Sequence, residues 1–288
     1  MLSLQTNVAA LNTQRNMNAT QNSLTTSMTR LGTGFRINSA ADDAAGLQIA
    51  TRMEAQTRGM TVAMKNTQNG ISLMQTAEGA LSEVSNIVLR MKDLATESAS
   101  GAANDDDRKA MQAEYDALGS ELNNIVKNTA FAGQVLLDKA NGKLKDKVDF
   151  QIGASKDEKL TVDVTTAIGD LDTKLAAVSK QFGASPAAGA EVKTATDANT
   201  NIATLNAAID TIGTLRAALG AYSNRMEHTY NNLSNMTTNT TVARSRIMDT
   251  DYASETANQT SKQMLMQAGT AMLKQSGSMN QLVMSLMQ

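Results

Sequence analysis

The chain has no cysteine and no tryptophan, a single histidine and a single proline, Pro186. Each scarcity excludes something. Without cysteine there is no disulfide framework and no thiolate metal ligand, so the sequence bears no mark of its redox compartment. His228 alone cannot supply the usual zinc constellations. A Ser-His-Asp triad would have to use it, and it stands among polar residues in "NRMEHTYNN", as a solvated surface histidine does. One proline in 288 residues leaves almost nothing to break helices. Aromatics make up 3% of the chain against 18 methionines, so apolar contacts fall mostly to Leu, Ile, Val, Ala and Met. That supply suits thin helix-to-helix seams better than a bulky core. Neither sign of charge dominates. Lys+Arg number 26 and Asp+Glu 28, which gives no electrostatic footprint for nucleic acid or an anionic membrane. No apolar run approaches the roughly 18 residues a membrane helix needs. There is no G-x-G-x-x-G and no P-loop, and "MLSLQTNVAALNTQ" lacks the basic leader and cleavage pattern of a Sec signal.

What is present is helical periodicity. Ala10, Met17, Leu24 and Leu31 recur every seven residues, with Met28 and Phe35 four beyond Leu24 and Leu31. This is one narrow apolar stripe on a helix. It stops at "GTGFRINS", where Gly and Asn-Ser break the pattern, and Ser39 with Asp42 fits a capping box for a second helix. That helix is expected to run from Ala40 to Thr96, on the order of 80 Å at 1.5 Å per residue. Its row is Met60, Met64, Ile71, Met74, Leu81, Val84, Val88 and Met91. After "ESASGAAN", Asn104 caps a further helix, and Asp105, Asp106 and Asp107 complement its macrodipole. Near Asp149 the period becomes two: Val148, Phe150 and Ile152, then Leu160, Val162 and Val164 across the turn "GASKDEK". This predicts a β-hairpin with one buried face. A short helical piece precedes "KQFGASPAAGAEVKTATDANT", a small and polar surface connection. Helix returns at Ile202 and continues past Leu233. The last segment holds the cleanest heptad: Leu265, Met272, Met279 and Leu286, with Ala268 and Leu282 between them.

The expected fold is mainly α: a long antiparallel helical bundle or coiled coil with a small β-hairpin, and terminal helices forming a coiled-coil inner domain. A two-in-seven stripe is a seam and not the wide face of a globular helix. Full burial of a Leu or Met yields ~1.5–3 kcal/mol, whereas ordering a residue's backbone costs ~1–2 kcal/mol. Such thin seams leave long terminal helices marginal in one chain. The apolar end "QLVMSLMQ" is therefore expected to be an assembly surface, with ends that order when copies pack together.

Two long segments resemble a known family. "LGTGFRINSAADDAAGLQIATRM" and "QNGISLMQTAEGALSEVSNIVLRMKDLA" are similar to the N-terminal region of bacterial flagellins; "TLRAALGAYSNRMEHTYNNL" and "ARSRIMDTDYASETANQTSKQMLMQAGTAML" are similar to their C-terminal region. The resemblance covers about residues 1–165 and 200–288, in family order. It implies an inner coiled-coil domain at 1–40 and 250–288, a helical rod with the hairpin at 41–165 and 200–249, and a short variable surface region at 166–199. The short middle suggests a smooth, thin filament, and the methionine-rich ending a lateral type.

The function it implies is that of a structural, non-enzymatic subunit, secreted without a cleaved leader through a type III apparatus, that polymerises into the filament used for motility. Met17, Leu24, Met28, Leu31, Leu265, Met272, Met279, Leu282 and Leu286 would line the filament core. Arg36, Asn38, Asp42, Arg244, Arg246, Asp249 and Asp251 would be polar contacts between inner and outer shells, with local capping and solvation as the alternative for these charges. In some members a Toll-like innate receptor reads the rod face, and the matching positions are Arg90, Leu94 and Glu114. The implied partners are further copies of the chain, the flagellar cap and hook-associated proteins, and an export chaperone. No cofactor, metal, nucleic acid or membrane is expected. A hook–filament junction protein is the alternative within the same export family, and a secreted adhesin or immune ligand the alternative outside it. The latter would need an exposed domain for which residues 165–200 leave little room.

Overall fold

The computed structural model of the chain describes residues 7–183 and 185–286, of which 279–286 are described as helical backbone. Six α-helices dominate the described residues: α1 (Val8–Thr33), α2 (Ala44–Ser98), α3 (Asp105–Asn128), α4 (Thr165–Val178), α5 (Ala195–Met248) and α6 (Tyr252–Leu286). Two small antiparallel pairs complete the fold, β1 (Ala130–Phe131) with β2 (Gln134–Val135) and β3 (Val148–Gln151) with β4 (Lys159–Val162). The fold is mainly α, as the proline-poor, three-four pattern predicts. The chain divides into two compact units, Met1–Thr57 with Thr238–Gln288, and Arg58–Thr237.

The larger unit holds the main core. Met74, Leu81, Val84, Val88, Met91 and Leu94 of α2 are each at most 2% exposed, and they meet Tyr115 and Leu122 of α3 and Leu205, Ile212, Leu215 and Leu219 of α5. Asn104 and Asp107 form a reciprocal capping box at the start of α3, each side chain accepting from the other's backbone N–H. The expected hairpin is present, with Val148 opposite Val162 and Phe150 opposite Leu160. Leu160 and Val162 point into the core while Lys159 and Thr161 are exposed, the alternation that a half-buried strand requires. The pair β1–β2 is not legible in the hydrophobic pattern. It rests on a two-residue turn with positive φ at both Ala132 (50°) and Gly133 (80°), the geometry of the tight right-twisted hairpin turn.

The segment expected to be a loose surface connection is anchored at its far end. Val192 is fully buried, its N–H donates to Gln112 Oε1 at 2.8 Å, and Ser98 Oγ donates to its carbonyl. Nearby, Asn201 Nδ2 donates to the Tyr115 hydroxyl at 2.6 Å, which in turn donates to the Val178 carbonyl at 2.8 Å. Burial pushes the Tyr115 phenol's pKa up, so it stays a neutral donor.

In the smaller unit, α1 and α6 pack along each other. Asn7 caps α1 by accepting from the Ala10 N–H at 3.0 Å, and the helix ends at Gly34, whose φ of 78° favours glycine. A small cluster of Ile37, Ala50 and Met248, with Phe35, Leu47 and Ile247 against it, sits where the chain leaves α1 and α5. The start of α2 differs from the expected one. Ser39 and Asp42 close a turn before the helix, and the cap is Asp43, which accepts from the Gly46 N–H at 2.8 Å. Asp42 is held by backbone donors on its N-terminal side and so cannot serve the helix.

Candidate assembly interface

The pairing of α1 with α6 is antiparallel, as four contacts along it show. Asn7 Nδ2 donates to the Ser276 carbonyl and hydroxyl, both at 3.0 Å. A Cβ on Gly269 would lie 3.9 Å from the Met17 side chain. Gln259 Nε2 donates to Met28 Sδ at 3.1 Å, and Arg30 faces Glu255 at 3.9 Å. On α1 the less exposed positions are Ala10, Thr13, Met17, Thr20, Leu24, Ser27, Arg30 and Leu31, so the stripe read from the sequence faces α6. Met28 is the exception at 54% exposed. Thr13 and Thr20 sit in this seam with their hydroxyls donating to the carbonyls of Ala9 and Asn16. This back-bonding satisfies both threonine hydroxyls.

The face that α6 turns to α1 is not the heptad that the sequence makes most prominent. Its less exposed positions are Glu255, Gln259, Lys262, Met266, Gly269, Leu273 and Ser276, an alternating four-three spacing of mostly polar or small residues. Leu265 (53%), Met272 (62%) and Met264 (59%) remain in water, and Ala268 is exposed with them. Adjacent helical positions are about 100° apart, so stripes offset by one residue occupy different faces. Two stripes thus run along α6, one facing α1 and one exposed. The signal for the first was the three-four spacing of Met266, Gly269, Leu273 and Ser276, less prominent than the heptad beside it because Gly and Ser interrupt its apolar positions. Met279, Leu282 and Leu286, whose spacing continues the open row, lie outside the residues whose side chains are described.

The linkers between α1 and α2 and between α5 and α6 run antiparallel and bond directly. Phe35 and Asp249 form a bridge; the Arg36 N–H donates to the Met248 carbonyl at 2.6 Å and the Thr250 N–H to Gly34 at 3.0 Å. Of the charges singled out by sequence, Arg36 and Arg244 reach across. Arg36 Nη2 donates to the Ile247 carbonyl at 2.9 Å, and Arg244 meets Glu54 at 3.1 Å, a partner the sequence reading did not name. The others act locally. Asn38 Nδ2 donates to the Phe35 carbonyl; Asp249 accepts from Ser245; Asp251 caps α6 through the Ala253 and Ser254 N–H groups. Arg246 is exposed in the last turn of α5. Asp42 Oδ2 accepts from the backbone of Asn38 and Ser39 at 3.1 and 2.9 Å, and these donors hold its carboxyl below the usual carboxylate range.

In the larger unit, Arg90 Nε and Nη2 both donate to Glu114 Oε1, at 2.9 and 2.7 Å, on an exposed surface. Leu94 is 2% exposed, within the core. Among the described residues, no group of three His, Cys, Asp or Glu side chains could hold a metal ion, and no helix is long and apolar enough to cross a membrane.

Residues 4–142 match the model of the bacterial flagellin N-terminal helical region, and residues 202–287 that of the C-terminal helical region. The chain belongs to the bacterial flagellin family. It is 34% identical to Flagellin A of Vibrio anguillarum, with 100% of both chains covered, and 32% identical to Polar flagellin C of Vibrio parahaemolyticus, again with 100% of both covered. The first alignment runs over 381 positions against 288 residues here, so this flagellin is the shorter molecule. Among solved structures, one described as a flagellar hook-associated protein from Vibrio parahaemolyticus superposes with a TM-score of 0.55 at 14% identity, covering 72% of this chain and 100% of that one. That likeness is one of fold. As a flagellin, the chain is a structural subunit that polymerises with its own copies into the extracellular flagellar filament.

Proposed function

We propose that the open row on α6, Leu265, Ala268 and Met272, is the surface through which this flagellin packs on neighbouring copies in the filament, and that Met279, Leu282 and Leu286 continue it. The observation that carries this reading is the exposure of Leu265 and Met272 at seam spacing on a helix whose other seam is already filled. Burying one such side chain fully is worth ~1.5–3 kcal/mol, and over half of each remains in water in the single chain. Met17, Leu24 and Leu31 hold α1 against α6 and so build the element that carries the row, with Met28 at its edge. The segments 1–40 and 250–288 form the inner domain, 41–165 and 200–249 the rod, and 166–199 the short variable surface. The linker contacts, with Arg36 to Ile247 and Arg244 to Glu54 as its cross-links, fix how α6 is presented.

The same reading assigns the flagellar cap, the hook-associated proteins and an export chaperone as partners of the terminal helices, which offer each the same apolar spacing. A Toll-like receptor would meet Arg90 and Glu114 at the surface, while Leu94 supports that face from within. The role is structural and not catalytic.

The test is elongation of short filament seeds by purified protein, followed by negative-stain electron microscopy. Leu265→Asp with Met272→Asp should keep the monomer's helical circular dichroism yet add no length. Elongation at the unsubstituted rate would remove the row from the interface.

A further inference from the structure

We propose that Met264 and Met272 are oxidation sites through which a hydroperoxide disables the subunit for assembly. The inference rests on the open row of α6 being the interface. Three observations converge on it. Methionine exposure spans a wide range: Met60, Met74, Met91 and Met226 are at most 1% exposed, Met236 is 39% and Met28 54% exposed, and Met264 and Met272 are the most exposed of those described, at 59% and 62%. Met272 belongs to the row with Leu265 and Ala268, the face that must become dry when copies pack, and Met264 stands at the edge of that row, one turn before Ala268. And the chain has no cysteine, so no thiol competes for the oxidant and the accessible thioethers are its most readily oxidised groups.

The chemistry is a two-electron oxygen transfer. The thioether sulfur attacks the distal peroxide oxygen; the S–O bond forms as the O–O bond breaks. Sulfur is oxidised to the sulfoxide, and the peroxide is reduced to water, or to an alcohol for an alkyl hydroperoxide. A flexible apolar side chain becomes a polar one with a strong acceptor oxygen. Nothing in the monomer opposes the change, because neither side chain is packed. The penalty appears only when the sulfoxide must be buried without a donor. Met28 gives an internal contrast. It is 54% exposed, but its sulfur already accepts from Gln259 Nε2, so a sulfoxide oxygen there has a donor at hand.

Monomer is treated with hydrogen peroxide, freed of oxidant, mapped by peptide mass spectrometry and added to untreated seeds. Met264 and Met272 should be converted at least about tenfold faster than Met74 and Met91, and elongation should fall at least about tenfold. Met264→Leu with Met272→Leu, an apolar replacement without sulfur, is compared with its own untreated elongation rate and should keep most of that rate after treatment. If oxidised wild-type protein elongates at the untreated rate, or the double leucine variant loses as much as wild type, the proposal fails. Peroxide treatment of intact filaments separates the two readings. Protection of Met272 in the filament, with normal elongation by oxidised monomer, overturns the oxidation proposal alone. Oxidation of Met272 as fast in the filament as in the monomer overturns the interface beneath it as well.

Discussion

Ala132 occupies a backbone conformation that suits glycine or asparagine, with φ at 50° between Phe131 and Gly133. An L-residue with a Cβ costs ~1–2 kcal/mol there, and asparagine tolerates it by bonding locally. Ala132→Asn is expected to stabilise the larger unit by about 1 kcal/mol, read as a higher urea midpoint at unchanged slope. An unchanged or lower midpoint would mean that the turn relaxes to another form. Asp42 gives a pH prediction with a definite sign. Its folded pKa is lowered by the Asn38 and Ser39 donors. Its contribution is therefore complete above the ordinary aspartate value near ~3.9 and lost as pH falls through its own lower value. Hydrogen exchange of the Asn38 and Ser39 amides should accelerate in that acid window in wild type beyond the chemical rate, and Asp42→Asn should show the faster exchange already at neutral pH. Equal protection in both proteins would contradict the assignment. The sequence placed Asp42 in a capping pair with Ser39. The pair exists, but it closes a turn, because Asp43, one residue on, is better placed to meet the first free N–H of α2.

At the scale of elements, the long helices were legible because one proline and a sustained three-four row leave few alternatives. The Asn104 cap of α3 was legible too, whereas Asp107, expected only to complement the macrodipole, also closes a reciprocal box with it. Asn104→Ala should cost ~1 kcal/mol through loss of the reciprocal box, measured by thermal unfolding followed by circular dichroism. A loss within error of zero would show that water replaces it. Two things were hidden. The pair β1–β2 is too short for a period of two to register. The anchoring of Val192 depends on Gln112 and Ser98, which are remote in sequence, so a stretch of small polar residues gave no sign that one end of it is buried. The heptad on α6 was expected to be a seam; in the single chain Leu265 and Met272 are exposed, and the sequence did not name a partner for them. Spacing says that a face wants covering and does not say by what. In the fold α1 takes the neighbouring face, and Leu265, Ala268 and Met272 are left exposed.

For the whole molecule, the proposed interface implies a subunit whose exposed α6 row, Leu265, Ala268 and Met272, is covered only when copies meet. Contacts of that kind are weakly screened, so assembled filaments should persist at ~0.5 M salt, beyond the range of exposed ion pairs. Dissolution there, followed by light scattering, would instead assign the filament's cohesion to charge. On the proposed interface α6 has two seams, one closed by the chain's own α1 and one closed by another copy. The most direct measurement is a cryo-electron-microscopy map of the filament resolving α6 side chains. Leu265, Ala268 and Met272 should lie within ~4.5 Å of a neighbouring copy, while Met266, Gly269 and Leu273 keep their own α1. Leu265 and Met272 facing open solvent in the filament would contradict it.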